Sequence, residues 1–316
     1  MTTVQLAPAL GDPPALAPLF EHVVLAIDFG SASLAAARWA TTHVARRAHA
    51  ILSHVVPFRD RSTEADAASL LGAERLDDVR PALLGGLGGF AATLDLASAR
   101  SVLRTGQPSS CLSTLANDGS TSLVILGRRG DANRKRIGEP NVIERLARRV
   151  KTSVLVVPEG VTAAPTRVVA AVDDSAFAPA VVRAAQRLAR LHACELIVMH
   201  VLQPVAGAYD RILRSDAGQR ALTERRAERR TPSGTALDTM TRRLVRLVGV
   251  DGPGEVRFEV VVGDPSSEIV STALGGGPAL VVVGQRGADG APTGSLGSVT
   301  RELLTRAPVA VVAVSV

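Results

Sequence analysis

Three glycines and a serine near the C-terminal end of the sequence are spaced so that they could bind a phosphate group. They follow the pattern G-x-x-G, nine residues, G-S, at Gly284, Gly287, Gly297 and Ser298. An apolar run, residues 279–283, precedes this loop, and a helix-like stretch, residues 299–306, follows it. Glycine lets backbone N–H groups approach a ligand closely, and a helix N-terminus attracts anions. The spacing therefore predicts a nucleotide site at this loop.

The residues around the glycines could supply further phosphate partners. Gly297, Ser298, Val299 and Thr300 could present backbone N–H groups and hydroxyls at the start of the helix, where the helix dipole favours anions. Arg286 could contact a phosphate by charge, although an exposed arginine in this place could equally be solvated.

Two residues outside the loop are expected to face it. Asp173 ends the first apolar run of the second half of the sequence, and Val201 follows the second run. Ligands of open parallel sheets bind beyond the carboxyl ends of the strands, where both residues should lie. Asp173 could accept hydrogen bonds from a ribose or an adenine amino group, and Val201 could form an apolar wall. The alternatives are a helix cap, for which Asp174 or Ser175 is better suited, and simple core packing of Val201.

The sequence lacks the residues that nucleotide hydrolysis usually needs. The order G-x-x-x-x-G-K-[ST] is absent, and the second half contains no lysine. No pair of aspartates near the loop indicates a magnesium site with a water-positioning base, and no serine, cysteine and histidine pattern indicates a nucleophile. The six histidines have no cysteine or carboxylate at ligand spacing, so no zinc site is expected. We therefore predict no catalytic residue, and a nucleotide that is held with slow hydrolysis at most.

The sequence contains the same series of segments twice. Each copy begins with a β-branched run that ends in aspartate, at Asp28 and Asp173, and each contains a later G-x-R-G, at Gly127 and Gly284. The separation of matching residues grows from 145 to 157, which places an arginine-rich insertion within residues 204–234. This charged stretch favours a solvated helix or mobile loop over a ligand site. The predicted organisation is a disordered lead-in, a first domain and a second domain, over residues 1–20, 21–158 and 166–316.

Short apolar runs alternate with longer helical patterns in both halves. This alternation is typical of a parallel sheet with helices on both faces. We therefore predict an α/β chain of two tandem, Rossmann-like, open parallel sheets of five strands each. The last run of each half, residues 154–157 and 309–314, is unusually apolar, and exposed apolar edges tend to pair.

With these features the chain resembles a tandem universal stress protein, over residues 21–316 in two copies. In the ATP-binding members of that family the motif is G-2x-G-9x-G-[ST], which the four loop residues fit. The family's early aspartate corresponds to Asp173, the residue two before it to Ala171, and the adenine-contacting valine to Val201. The resemblance implies ATP, ADP or AMP, with or without Mg²⁺, at Ala171, Val172, Asp173, Val201, Val283, Gly284, Arg286, Gly287, Gly297, Ser298, Val299 and Thr300. The family's last strand makes a dimer contact, which implies a homodimer or an intramolecular pseudo-dimer here.

The first half departs from the motif after a matching start. Its matching residues are Asp28, Val55, Gly127 and Gly130, but Pro140 and Asn141 stand where glycine and serine belong. A shorter alignment uses Gly138 and places Glu139 at the hydroxyl position. Proline lacks an N–H, and glutamate would repel a phosphate. The basic residues of this loop could still hold phosphates by charge, namely Arg128, Arg129, Arg134, Lys135 and Arg136. We expect a degenerate site here in preference to an intact one.

Composition narrows the class of protein. The chain has 316 residues, a net charge of +6 and only 3% aromatic residues, which disfavours base-stacking platforms for nucleic acid. Its two cysteines fit a reducing cytoplasm, no apolar run reaches membrane-spanning length, and the N-terminus does not resemble a signal peptide. The sequence favours an ATP-binding regulatory protein of the stress response with an unidentified protein partner. The alternatives are a nucleotide hydrolase or phosphotransferase on the same fold, and a nucleotide-free protein-interaction scaffold.

Overall fold

The computed structural model describes residues 4–6, 19–57, 73–129, 141–203, 234–248, 256–286 and 296–315. The first half contains six strands, β1 (Val4–Leu6), β2 (His22–Ala26), β3 (Ala48–Val56), β4 (Leu96–Thr105), β5 (Leu123–Arg128) and β6 (Ser153–Pro158). Its helices are α1 (Ser31–His43), α2 (Ala73–Ala91), α3 (Pro108–Ala116) and α4 (Val142–Arg149).

The second half repeats this order of strands and helices. Its strands are β7 (Arg167–Ala171), β8 (Glu195–Leu202), β9 (Val256–Val262), β10 (Ala279–Gly284) and β11 (Ala310–Val314). Its helices are α5 (Ala178–His192), α6 (Gly234–Val248), α7 (Pro265–Leu274) and α8 (Ser298–Arg306). The bounds of β10 and β11 lie within one residue of the apolar runs 279–283 and 309–314, a difference that is usual at element ends.

The strands form one sheet and not two separate sheets. Its order is β1-β9-β8-β7-β10-β11-β6-β5-β2-β3-β4, and the pairs β2–β3, β5–β6, β7–β8 and β10–β11 are parallel. The prediction of two five-stranded sheets is therefore wrong in this respect. The physical reason is that β6 and β11, both buried and apolar, pair antiparallel and leave no edge between the halves.

The pairing of β6 with β11 places equivalent residues opposite one another. Leu155 faces Val312 at the centre of the paired segment. These residues are 157 positions apart, the same separation as Gly127 and Gly284. An approximate twofold axis therefore passes between Leu155 and Val312 and relates the two halves.

Helices cover both faces of the sheet, as the alternating pattern predicts. On one face α1, α2, α5 and α6 enclose a core that includes Leu52 and Phe258. On the other face α3, α4, α7 and α8 enclose a core that includes Leu112 and Leu303. In α5, buried Val181, Ala185 and Leu188 recur at helical spacing, which is why this segment folds as an amphipathic helix.

Two sequence-based expectations fall largely outside the described residues. The insertion expected within residues 204–234 lies outside them up to residue 233, and α6 follows it. Most of the lead-in also lies outside them. Within the lead-in, however, Val4–Leu6 forms β1, which pairs antiparallel with β9. The prediction of disorder is therefore wrong for this segment, because the backbone groups at the edge of β9 give it hydrogen-bond partners.

Candidate functional site

A cavity of about 520 Å³ opens at the carboxyl ends of β7, β8 and β10 in the second half. All predicted residues of this half that the structure describes line it, namely Ala171, Val172, Asp173, Val201, Val283, Gly284, Arg286, Gly297, Ser298, Val299 and Thr300. Gly287 lies outside the described residues. The fold thus brings the predicted residues together, at the edge of the sheet where ligands of parallel sheets bind.

Asp173 projects its carboxylate from the end of β7 and is partly exposed. Its Oδ1 accepts hydrogen bonds from the Ser175 backbone N–H, at 3.1 Å, and from the Ser175 hydroxyl. Phe177 is the N-cap of α5, so the alternative role of Asp173 as the cap of this helix does not apply. The bonds from Ser175 fix the orientation of a carboxylate that lines the cavity.

The N-terminus of α8 also lines the cavity. Its N-cap is Gly297, which has no side chain to cap the helix. The first backbone N–H groups of a helix have no partner in the helix itself, and together with the dipole they attract anions. The N-terminus of α8 is thus available to a phosphate group.

Two hydrogen bonds fasten the start of α8 to β10. The Gly297 N–H donates to the Gln285 carbonyl at 3.0 Å, and the Thr300 hydroxyl donates to the Gly284 carbonyl at 2.6 Å. The hydroxyl proton of Thr300 is therefore used within the fold, so Thr300 could donate only its backbone N–H to a phosphate. The Gly297 N–H, which was also expected to face a phosphate, is likewise used within the fold. A Cβ on Gly284 would lie 3.0 Å from the Arg286 carbonyl oxygen, so the close turn after β10 favours glycine.

The cavity also contains residues that sequence reasoning did not select. Its apolar wall is extended by Phe177, Met199, Ile269 and Leu296. His200, at the end of β8, makes a 2.8 Å hydrogen bond between its Nδ1 and the Val172 carbonyl, and His54 makes the same bond to Ile27 in the first half. The repetition of this histidine in both halves is the sequence signal for its positioning role. At the rim Asp174 is paired with Arg243 of α6.

The corresponding cavity of the first half has a volume of about 420 Å³ and is lined by Asp28, Val55 and Gly127. Gly130 and Gly138, the remaining candidates of this half, lie outside the described residues. Ser53 takes the place of Met199, and its buried hydroxyl has no hydrogen-bond partner among the described residues.

The acidic group of the first-half cavity, Asp28, forms an ion pair within the protein. Arg129 Nη2 lies 2.8 Å from Asp28 Oδ2, and Asp28 Oδ1 accepts bonds from the Gly30 N–H and the Ser33 hydroxyl. Burial alone would raise the pKa of Asp28, but the bonds from Ser33, Gly30 and Arg129 hold the pKa below its ordinary value. Asp28 is therefore a charged, internally paired group.

Two further contacts distinguish the first-half cavity from that of the second half. The Asn141 side chain caps α4 and accepts a hydrogen bond from the Ile143 N–H at 3.1 Å. In the sequence Asn141 corresponds to Ser298, but α8 begins one residue earlier than α4, so its N-cap is Gly297. A Cβ on Gly127 would overlap the Ala32 carbonyl group, so α1 packs directly against this glycine. These contacts were not revealed by the sequence, and the first-half loop itself, residues 130–140, lies outside the described residues.

Two of the five basic residues expected at the first-half loop have partners within the protein. Arg129 is paired with Asp28, and Arg128 is buried and donates to carbonyl oxygens of the second half, at Thr305 and Ala307. The other three basic residues, Arg134, Lys135 and Arg136, lie outside the described residues.

Two other kinds of feature are missing from the described residues. They contain no group of three or more His, Cys, Asp or Glu side chains placed to hold a metal ion. Of the helices that the structure describes, none is long and apolar enough to cross a membrane.

Comparison with known proteins identifies similar chains by sequence and by fold. A sequence profile of the universal stress protein family matches twice, over residues 19–158 and 165–315. No curated protein sequence matches the chain. A universal stress protein from Archaeoglobus fulgidus shares 19% identity with a TM-score of 0.61, covering 93% of this chain and 98% of that chain.

Two further solved structures are similar at lower scores. A functionally unknown protein from Pseudomonas aeruginosa shares 12% identity with a TM-score of 0.53, covering 94% of this chain and 92% of that chain. A universal stress protein in complex with cAMP shares 24% identity with a TM-score of 0.31, covering 44% of this chain and 97% of that chain. The two matches over nearly the full length show that this chain shares their fold.

Proposed function

Because the chain belongs to the universal stress protein family, with two copies of the family's domain in tandem, we propose that it is a regulatory stress-response protein that binds an adenine nucleotide in its second half. The nucleotide is ATP, ADP or AMP, with or without Mg²⁺. Binding shifts the conformation of the protein or its choice of protein partner. A cytoplasmic location belongs to the proposal, since Cys111 and Cys194 are both free thiols.

The observation that carries the proposal is the placement of an oriented carboxylate and an uncapped helix N-terminus in one cavity. Asp173 suits the ribose or adenine end of a nucleotide, and the first turn of α8 at Gly297 and Ser298 suits its phosphates. The apolar side chains between them, Val201 and Val283, suit the base. A volume of about 520 Å³ lies within the usual range for small-molecule sites.

The titratable side chains at this cavity favour binding over rapid turnover. Asp173 is bonded to Ser175, Asp174 is paired with Arg243, and His200 is bonded to the Val172 carbonyl. Groups engaged in this way position the site and are poorly placed to activate a water molecule. Slow hydrolysis or none is therefore part of the proposal.

The first experiment identifies the nucleotide. Protein purified without added nucleotide is denatured, and the released small molecules are analysed by mass spectrometry. Protein stripped of ligand is then titrated calorimetrically with ATP, ADP and AMP, and phosphate release with Mg²⁺ is followed. Binding of one nucleotide per chain with little release supports the proposal. Fast, saturable phosphate release would favour a hydrolase or phosphotransferase, and no released or bound nucleotide would favour a protein-interaction scaffold.

The second experiment assigns the site with a matched pair of variants. Asp173→Asn should weaken nucleotide binding about tenfold or more, because a charge-assisted hydrogen bond to the ligand is lost. Asp28→Asn changes the equivalent residue of the first half and should leave the affinity within about twofold. Melting temperatures of both variants verify that they fold. Equal loss of binding in the two variants would contradict a site confined to the second half.

A further inference from the structure

We propose that Arg128, a residue of the first half, is a positioning residue for the nucleotide site of the second half. It acts by holding the C-terminal end of α8, the helix whose N-terminus faces the proposed phosphates. The inference rests on the proposed function, since it concerns how that site is kept in shape.

Arg128 is buried and reaches across the junction between the halves. Only 9% of its surface is exposed. Its Nη1 donates to the Thr305 carbonyl at 3.0 Å, and its Nη2 donates to the Ala307 carbonyl. Thr305 lies in the last turn of α8, and Ala307 is its C-cap. The last carbonyls of a helix lack partners within it and carry the negative end of the dipole, so a buried guanidinium is a strong anchor there.

Arg128 and β10 together fix both ends of α8. At its start the helix is bonded to β10 through Gly297 and Thr300, and at its end it is bonded to Arg128. Nine residues of α-helix span roughly 13 Å and behave as a rigid rod at this length. If the far end loses its anchor, the helix pivots about its attachment to β10 and its first N–H groups move. Phosphate binding by backbone N–H groups is sensitive to such shifts, because these groups must all point at one anion.

The second half makes a related contact with the first half. Gln285 is equivalent to Arg128, since each follows one of the matching glycines, Gly284 and Gly127. Its Nε2 donates to the Thr152 carbonyl at 2.6 Å, in the segment between α4 and β6. Both contacts cross the junction between the halves, but the charged member of the pair, Arg128, is the one that donates to the terminal carbonyls of a helix, those of α8.

The position of Thr305 shows that α8 extends from one cavity to the other. Thr305 lines the first-half cavity, and Gly297 and Ser298 at the other end of the same helix line the second-half cavity. A change at Arg128 therefore has a short physical route to the proposed phosphates, along a single helix.

The test compares the affinities for ATP and for adenosine, which lacks phosphates, in full-length protein by calorimetry. Arg128→Ala should weaken ATP binding about tenfold and leave adenosine binding within about twofold, because only the phosphates contact α8. Arg128→Lys should restore part of the ATP affinity. Arg149→Ala is the matched control, since it removes the same charge from α4, where Arg149 contacts Ser110 within the first half at 2.7 Å. It should bind both ligands as the wild type does.

The other possible outcomes separate the inference from the proposed function. If Arg128→Ala binds ATP as tightly as the wild type and Arg149→Ala, the positioning role is wrong and the proposed function stands. If ATP and adenosine are weakened equally, together with a lower melting temperature, Arg128 serves only the fold and the inference is also wrong. If the wild type binds neither ligand, the proposed function fails and the inference fails with it.

Discussion

At the scale of single residues, the two halves differ most sharply at the N-caps of α8 and α4. Gly297 has φ −56° and ψ 144°, and Asn141 has φ −56° and ψ 148°, so the backbone is nearly the same in both places. The difference lies in the side chain. Asn141 Oδ1 accepts a hydrogen bond from the Ile143 N–H, whereas glycine has no side chain that could accept one. One residue thus decides whether the first turn of the helix is open to an anion.

Exchanging this residue should close the second-half site. Gly297→Asn should fit the existing backbone, cap α8 and compete with phosphate for the same N–H groups. We expect ATP affinity to fall about tenfold, while the stability of the protein stays the same or rises by a few tenths of a kcal/mol. Calorimetric titration and thermal unfolding measure the two effects.

Gly297→Ala is the control for this exchange, because alanine adds a Cβ without a capping oxygen. It should retain ATP affinity within about twofold. Equal loss of affinity with asparagine and alanine would mean that space at Gly297, and not its open N–H groups, is what the ligand requires.

The sequence indicated which residues meet at the second-half cavity better than it indicated their individual contacts. Asp173, Val201 and Ser298 line this cavity, and they could be selected because strand ends and glycine spacing are local signals. The use of the Thr300 hydroxyl by Gly284 was not predicted, nor was the bond from Arg128 to the end of α8. Both hydrogen bonds depend on which groups become neighbours after folding. A single sequence has no periodic pattern that would indicate such neighbours.

At the scale of elements, the C-terminal ends of α1 and α5 meet in a histidine contact. The ring centroids of His43 and His192 are 5.7 Å apart, and His192 Nε2 lies 2.7 Å from the His43 carbonyl. Burial, His192 and Arg46, in that order, lower the pKa of His43 below its ordinary 6.5. Burial also lowers the pKa of His192, and Arg46 adds to this, although the bond to His43 acts in the opposite direction.

These lowered pKa values predict how stability depends on pH. The unfolded chain takes up protons on these histidines more readily than the folded chain does, so their contribution is complete above about pH 6.5 and is lost as the pH falls below it. The urea midpoint should therefore be lower at pH 5.5 than at pH 7.5. The double variant His43→Gln and His192→Gln should show a smaller change over this range. An unchanged difference in the double variant would contradict this origin.

The elements themselves were largely predictable, and their pairing only partly so. The apolar runs 154–157, 279–283 and 309–314 match β6, β10 and β11 to within a residue, because buried parallel strands are continuous β-branched stretches. The strand β1 has three residues, too few for any period to be read. The sequence left open whether the last strands pair within one chain or between two chains, so it did not predict the single sheet that β6 and β11 form.

At the scale of the whole molecule, the halves are joined at the fully buried pair Leu155 and Val312. Leu155→Ala should lower the free energy of unfolding by about 2–5 kcal/mol, as expected for a cavity in a packed core. Because β6 supports β11, hydrogen exchange should also become faster in β10 of the other half. Urea denaturation and hydrogen-exchange mass spectrometry measure these effects.

Leu274→Ala provides the control, since Leu274 is 56% exposed and its truncation removes the same atoms from the surface. It should change the stability by less than about 0.5 kcal/mol. Unaltered exchange in β10 of the Leu155 variant would show that the two halves are energetically independent.

The strand β1 affects how the two halves of this chain could be separated. It precedes the first half in the chain, yet it completes the far edge of the second half by pairing with β9. A gene cut between the two copies would separate β9 from its outermost strand, although each fragment would still match the repeat in sequence. The segment that repeats in the sequence therefore does not contain all the strands that pair in its part of the sheet. A free second half should bind a Val4–Leu6 segment supplied in trans, as a split protein binds its missing strand.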